Sequence, residues 1–294
     1  MGLCDDVRHH CAAVAEQARW VAIDHDRLGV YDAAGVAPEP PALDPERHYL
    51  EGAPADVAGY LLMLDAINFG SGWFPLLRKR PHSSGYYTVS WGLADHVRAA
   101  GLPTSTDLRA MTTDRIAAIL GQDPALELMS LFAQALRELG RFLGQRSAQD
   151  VVDEARGSAE RLAQSLATGM ALFADHGFYK RAQIVPSDLA LAGLARFEDL
   201  DRLTIFADNL VPHVLRCDGV LRYHDDLAAH IESGALLPMD EHEHEIRACA
   251  VHACELLAGR LGIAPRALDT WLWNRGQGEP YKAKPRHRTR TVFY

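Results

Sequence analysis

The run Leu126-Glu127-Leu128-Met129-Ser130-Leu131-Phe132-Ala133-Gln134-Ala135-Leu136-Arg137-Glu138-Leu139-Gly140-Arg141-Phe142-Leu143 places Leu128, Phe132, Leu136, Leu139 and Leu143 at steps of three and four. Residues so spaced share one side of an α-helix, so the run reads as an amphipathic helix with a single buried stripe. The spacing recurs on both sides of it. Residues 151–170 carry Val152, Ala155, Ala159, Leu162 and Leu166, and residues 243–261 carry Ile246, Ala250, Ala253, Leu257 and Leu261. Residues 57–69 are apolar all round and predict a buried helix. Shorter helices are expected over residues 113–120, 188–194, 224–233 and 265–273. Residues 86–91 are the best short strand candidate, with a helix start at Ser90 competing. Many helices and almost no strands predict an all-α, multi-helical globular fold. The proline- and acid-rich residues 36–45 read as a loop behind an N-terminal helical segment. Nothing marks a second domain, so residues 1–294 read as one domain.

Composition narrows the function classes. Of 294 residues, 48% are hydrophobic and 23% charged, which suits a globular core and excludes disorder. The net charge of -9 makes the chain a poor match for long nucleic acid gripped by its phosphates. Cys4, Cys11, Cys217, Cys249 and Cys254 are odd in number and form no C-x-x-C pair, so they read as reduced thiols of a cytoplasmic protein. The first ten residues lack the apolar stretch of a signal peptide, and no apolar run approaches the ~20 residues needed to span a bilayer. Phosphate-cradling glycine loops and a nucleophile elbow are absent from the sequence, which leaves kinase, dinucleotide-binding and α/β-hydrolase readings without support.

Asp208 is the most awkward carboxylate. With Val211 and Leu215 it would share an apolar helix face, and Pro212 removes the partner of the Asp208 carbonyl. A helix should kink or begin there, and taken alone Asp208 reads as its cap. Lys180-Arg181, beside Phe178 and Tyr179, read by themselves as a solvated helix start. A desolvated Lys180 paired with a catalytic carboxylate is the sharper alternative. Periodicity puts Asp269 on the wet side of an aromatic helix. Residues 240–245, Asp-Glu-His-Glu-His-Glu, invite a metal reading, but His242 and His244 point to nearly opposite sides of a helix and match no zinc spacing. No metal is expected. Lys282, Lys284, Arg286, Arg288 and Arg290 make a local basic patch that suits a phosphate.

Phe178-Tyr179-Lys180-Arg181-Ala182-Gln183, Phe206-Ala207-Asp208 with Val211-Pro212, Glu243-His244-Glu245-Ile246-Arg247, Leu268-Asp269 with Leu272-Trp273, and His287-Arg288-Thr289-Arg290 together resemble the queuosine salvage family. The resemblance runs from His48 and Asn68-Phe69 to Tyr294. It implies a fold similar to helix-hairpin-helix DNA glycosylases. It also implies an N-glycosidase that hydrolyses queuosine 5′-monophosphate and frees queuine for salvage into tRNA. Asp208 is then the catalytic carboxylate, with Lys180 beside it. His48, Asn68, Tyr179, Phe206, Ala207, Glu245, Asp269 and Trp273 line the substrate, and Lys282, His287 and Arg288 hold its phosphate. The partner implied is a small nucleotide, without cofactor, membrane or stable nucleic-acid partner. The competing class is a non-catalytic nucleic-acid-binding helical protein related to DNA glycosylases.

Overall fold

The computed structural model describes residues 2–37, 40 and 42–294. In chain order the helices are α1 (Leu3–Gln17), α2 (Pro54–Ala66), α3 (Gly85–Ala100), α4 (Ser105–Arg109), α5 (Thr113–Leu120), α6 (Glu127–Leu143) and α7 (Ala148–Glu154). They continue with α8 (Ala159–Gly169), α9 (Lys180–Leu191), α10 (Leu210–Cys217), α11 (Asp225–Glu232), α12 (Glu241–Leu261), α13 (Pro265–Arg275) and α14 (Glu279–Lys282). Two three-residue strands, β1 (Val21–Ile23) and β2 (Leu221–Tyr223), pair antiparallel with Ala22 opposite Arg222. The fold is all-α, as the periodicity predicts. No described helix is long and apolar enough to cross a membrane.

The quoted run is α6, and Leu128, Phe132, Leu136, Leu139 and Leu143 are all buried. Each such side chain contributes about 1.5–3 kcal/mol by leaving water. α2 is buried from Val57 to Ala66. It packs on α9, α7 and α6, while α12 packs on α1 and α13. One apolar cluster extends from Leu3 to Tyr281.

Four expectations are corrected. Residues 151–170 are not one helix. Arg156 and Gly157 take positive φ, and Ser158 starts α8 by accepting a hydrogen bond from the Arg161 N–H, so the apolar stripe is divided between α7 and α8. Residues 86–91 are helical, because Ser84 caps α3 through the Tyr87 N–H at 3.1 Å. The helix expected from Asp188 begins at Lys180, since α9 is buried on all sides and shows no amphipathic period. The two strands escaped notice because three residues carry no alternation to detect. In the loop expected over residues 36–45, the described residues hold no helix or strand, and Pro38, Glu39 and Pro41 lie outside the described residues.

The basic tail is docked rather than frayed. His287, Thr289, Thr291 and Tyr294 are buried. The Gly70 N–H donates to the Tyr294 carbonyl at 2.8 Å. A β-carbon on Gly72 would sit 2.4 Å from the Thr289 carbonyl oxygen, so only glycine lets the tail pass so closely.

Candidate active site

The site is assembled where the start of α9 meets the segment before α10. Tyr179 adopts a left-handed conformation (φ 50°), which turns the chain into α9 with Lys180 as its first residue. Gln183, one turn on, accepts from the Thr204 N–H at 2.9 Å and donates to the Phe178 carbonyl at 2.8 Å. These bonds tie residues 203–207 alongside the helix. Arg181 is buried between the Phe69 and Phe173 rings and donates to the carbonyls of Ala66, Leu172 and Val292. The Lys180-Arg181 pair is therefore interior, correcting the expectation of a solvated helix start.

Asp208 stands two residues before α10. Its Oδ1 accepts from the N–H groups of Leu210 at 2.7 Å and Val211 at 3.4 Å. The carboxylate thus satisfies the helix start that Pro212 forces, while Oδ2 accepts no hydrogen bond from the described residues. Asp208 is half-buried, so this oxygen is reachable. Asp269 of α13 lies behind it. It is buried, not on the wet side, and its Oδ1 accepts from the Phe206 N–H at 2.9 Å. Burial pushes the Asp269 carboxyl up to about 7, and the Asp208 charge adds to this against the Phe206 hydrogen bond and Lys180. Lys180 is buried with its Nζ 3.3 Å from the Asn68 carbonyl. Burial pulls the ammonium below its ordinary value, and the Asp208 and Asp269 charges oppose that shift.

Two further carboxylates face Lys180. Asp188 is eight residues along α9, hence on the same helix face, and burial pushes it up to about 7 while Lys180 holds it down. Asp65, at 0% exposure near the end of α2, is raised well above its ordinary value by burial and by Asp188. An aromatic wall adjoins them. Tyr86 Oη is 3.0 Å from His48 Nε2, and His48 Nδ1 is 2.8 Å from the Asp44 carbonyl. Burial keeps His48 below its ordinary pKa, so the neutral ring donates to Asp44 and accepts from Tyr86. The Trp273 ring meets Tyr86 and Tyr87 edge-on at 6.1 and 5.7 Å. A buried lysine within reach of Asp208, Asp269, Asp188 and Asp65, walled by aromatics, suits a ligand that has a flat ring and develops positive charge.

The model of the queuosine salvage protein family matches residues 48–294. This chain belongs to that family. Similar proteins that carry the name queuosine 5′-phosphate N-glycosylase/hydrolase include those of a bacterium, a mammal and an amoeba. That of Sphaerobacter thermophilus is 37% identical, over 96% of this chain and 95% of the relative. The mouse protein is 31% identical over 98% of both chains, and that of Dictyostelium discoideum is 32% identical over 81% of this chain and 78% of the relative.

The residues expected to form the site of this queuosine salvage protein separate into two groups. Asp208, Lys180, Asp269, Phe206, Ala207 and Asn68 come together, Asn68 through its carbonyl, and His48 and Trp273 join them through Tyr86. Glu245 does not. Its carboxylate accepts from the backbone N–H groups of Arg19, Trp20 and Val21, where it holds the start of β1. The Tyr179 hydroxyl meets His176 Nδ1 at 3.1 Å. Lys282 is exposed on α14. His287 is buried and desolvation drives its pKa down to about 3, so its ring is neutral, while its carbonyl accepts from Asn209 Nδ2. Arg288 donates to the Gly234 carbonyl. The Asp208 charge acts on Arg286 of the tail, and the Arg286 charge acts on Lys79. In the acidic run, His244 Nε2 is 2.9 Å from His10 Nε2, and His242 Nδ1 is 3.1 Å from Asp240. Among the described residues no group of three or more His, Cys, Asp or Glu is placed to hold a metal ion.

Sequence reasoning missed Asp65, Asp188 and Tyr86, and named Arg286 only as a member of the basic tail. A signal existed for Asp65, which is the one charged residue in the otherwise apolar stretch Val57–Ala66. A carboxylate there demands a reason. Asp188 gave none, because α9 was not recognised as a buried helix.

Proposed function

We propose that this chain hydrolyses the N-glycosidic bond of queuosine 5′-phosphate and releases queuine, with Asp208 as the catalytic carboxylate. The observation that carries the reading is the unengaged Oδ2 of Asp208, held beside buried Lys180 and Asp269 on the segment that bears the family motif. In the reaction the bond from C1′ to the base nitrogen breaks with its electron pair going to the base. Positive charge grows on the sugar, and the Asp208 carboxylate beneath the ring stabilises it. Water then adds hydroxide to C1′, and its proton ends on the base nitrogen. The base is a 7-deazaguanine with carbon where a purine has N7, so protonation at that position is unavailable. Holding the departing base is therefore the main remaining lever. Asp269 accepts from its guanine-like N–H groups, and Phe206 or Trp273 stacks on its face. Lys180 balances Asp208 electrically. The 5′-phosphate goes to the basic tail, with Arg286 and Lys79 joining Arg288 and Lys282.

We read residues 1–294 as one glycosidase domain, because α1 lies along α12 and shares its apolar cluster. We assign the protein to the cytoplasm, on five cysteines that are all free. A free nucleotide is preferred over polynucleotide as partner because the chain carries a net charge of -9. The direct test is incubation with queuosine 5′-monophosphate and mass detection of free queuine. Substrate that stays intact under these conditions sinks the assignment.

A further inference from the structure

Lys180 and Asp208 come from segments separated in sequence, yet one buried pair reaches both. Arg247 of α12 is 1% exposed. Its Nε donates to the Ala207 carbonyl at 3.0 Å, immediately before Asp208. Its Nη1 and Nη2 donate to the two oxygens of Asp175 at 3.1 and 2.6 Å. Asp175 Oδ2 also accepts from the Lys180 N–H at 3.3 Å, and the Asp175 carbonyl accepts from the N–H groups of Phe178 and Tyr179. The guanidinium is clamped between the Phe178 ring at 3.9 Å and the Tyr294 ring at 4.7 Å.

We propose that the Arg247–Asp175 pair is the positioning device of the reaction, one rigid fork that sets Asp208 and Lys180 relative to each other. The inference rests on the functional reading above. A buried ion pair is weak evidence for stability, because an apolar pair of similar volume often holds a fold as well. What an apolar pair cannot supply is three directed N–H donors at fixed angles. That geometry is the property of guanidinium and not of ammonium. Both residues are buried and engaged with these groups, so both act through the groups they hold.

The test is Arg247→Lys in the full chain. Lysine keeps the charge but cannot serve Ala207 and both Asp175 oxygens together. Displacement of a reacting group by about 1 Å costs on the order of 10²-fold in rate. We expect kcat on queuosine 5′-monophosphate to fall by about that factor, with KM and the calorimetric affinity for queuine each within roughly threefold of wild type. In an Asp208→Asn background the same change should cost less than about threefold, because the group it positions has lost its role. A wild-type kcat in folded Arg247→Lys overturns the proposal, as does an equal loss in both backgrounds. Should that variant not fold, Asp175→Asn is read the same way, since its amide turns donors toward the guanidinium while an oxygen still faces the Lys180 N–H. Failure of the wild-type protein to release queuine would instead sink the functional reading, which keeps the two outcomes apart.

Discussion

Replacing the Asp208 carboxylate with an amide separates its two duties. The side-chain oxygen of asparagine still accepts from the Leu210 and Val211 N–H groups, so the helix start survives. The charge that the proposed mechanism sets opposite the sugar is lost. Asp208→Asn should therefore keep a near-wild-type Tm while kcat drops by at least about 10²-fold, the scale of losing one electrostatic contact in a dry site. Queuine release and thermal unfolding measured on one preparation check both halves. Asp269 makes a second prediction through its raised pKa. Its carboxyl titrates near 3.8 when solvated and at about 7 in the fold, so the folded state binds the extra proton between those values. Stability from this group is full below pH ~4, falls as pH rises to 7, and is flat above. Asp269→Asn is neutral throughout and removes that loss. Its Tm minus the wild-type Tm should be more positive at pH 8 than at pH 5, and a difference independent of pH contradicts the assignment. Neither prediction follows from the residue types alone. Asp208 read as an ordinary cap because sequence spacing shows which groups share a face, not which oxygen stays free.

At the level of elements, helices with one wet face were legible, as was the uniformly apolar α2, whereas a buried helix that carries polar residues was not. α6 shows its stripe in sequence because solvent demands polar residues on the other side, and α11 and α13 were found for the same reason. α9 is buried almost all round; of its polar members Lys180, Arg181 and Gln183 donate to backbone carbonyls and Asp188 feels the Lys180 charge. Polar residues inside a buried helix mimic a loop, so the helix start went unseen along with Asp188. Gln183 shows what those interior polar groups do. Its side chain links the Thr204 N–H, the Thr204 hydroxyl and the Phe178 carbonyl, all buried. Gln183→Ala strands these groups at a cost of about 1–3 kcal/mol. We expect a lower denaturant midpoint with unchanged m-value, and a fall in kcat because residues 203–207 carry the backbone that presents Asp208. A variant as stable as wild type would show that water replaces the amide.

On the scale of the whole molecule, charge works in two directions. The net charge of -9 repels a phosphate dianion at long range, yet that repulsion is screened beyond a Debye length of about 8 Å at physiological salt. Inside that length the balance belongs to local groups. Burial holds both Arg286 and Lys79 below their ordinary values; Arg286 interacts with the Asp208 charge, and its own charge further disfavours protonation of Lys79. Neither has an ion-pair partner among the described residues, in contrast to Arg98, Arg247 and Arg260, which are all matched to carboxylates. Two neighbouring like charges without an ion-pair partner among the described residues are stabilised when an anion arrives between them. A charge-assisted hydrogen bond of this kind contributes about 1.5–3 kcal/mol, which corresponds to roughly 10- to 100-fold in binding. Arg286→Ala should therefore raise KM for queuosine 5′-monophosphate by about that factor and leave the non-phosphorylated nucleoside unaffected, so that discrimination between the two collapses. The side chain makes no hydrogen bond to the described residues, so Tm should stay within a degree or two. Steady-state kinetics on both substrates decide the matter: an equal loss on nucleotide and nucleoside would assign Arg286 to tuning Asp208 rather than to the phosphate.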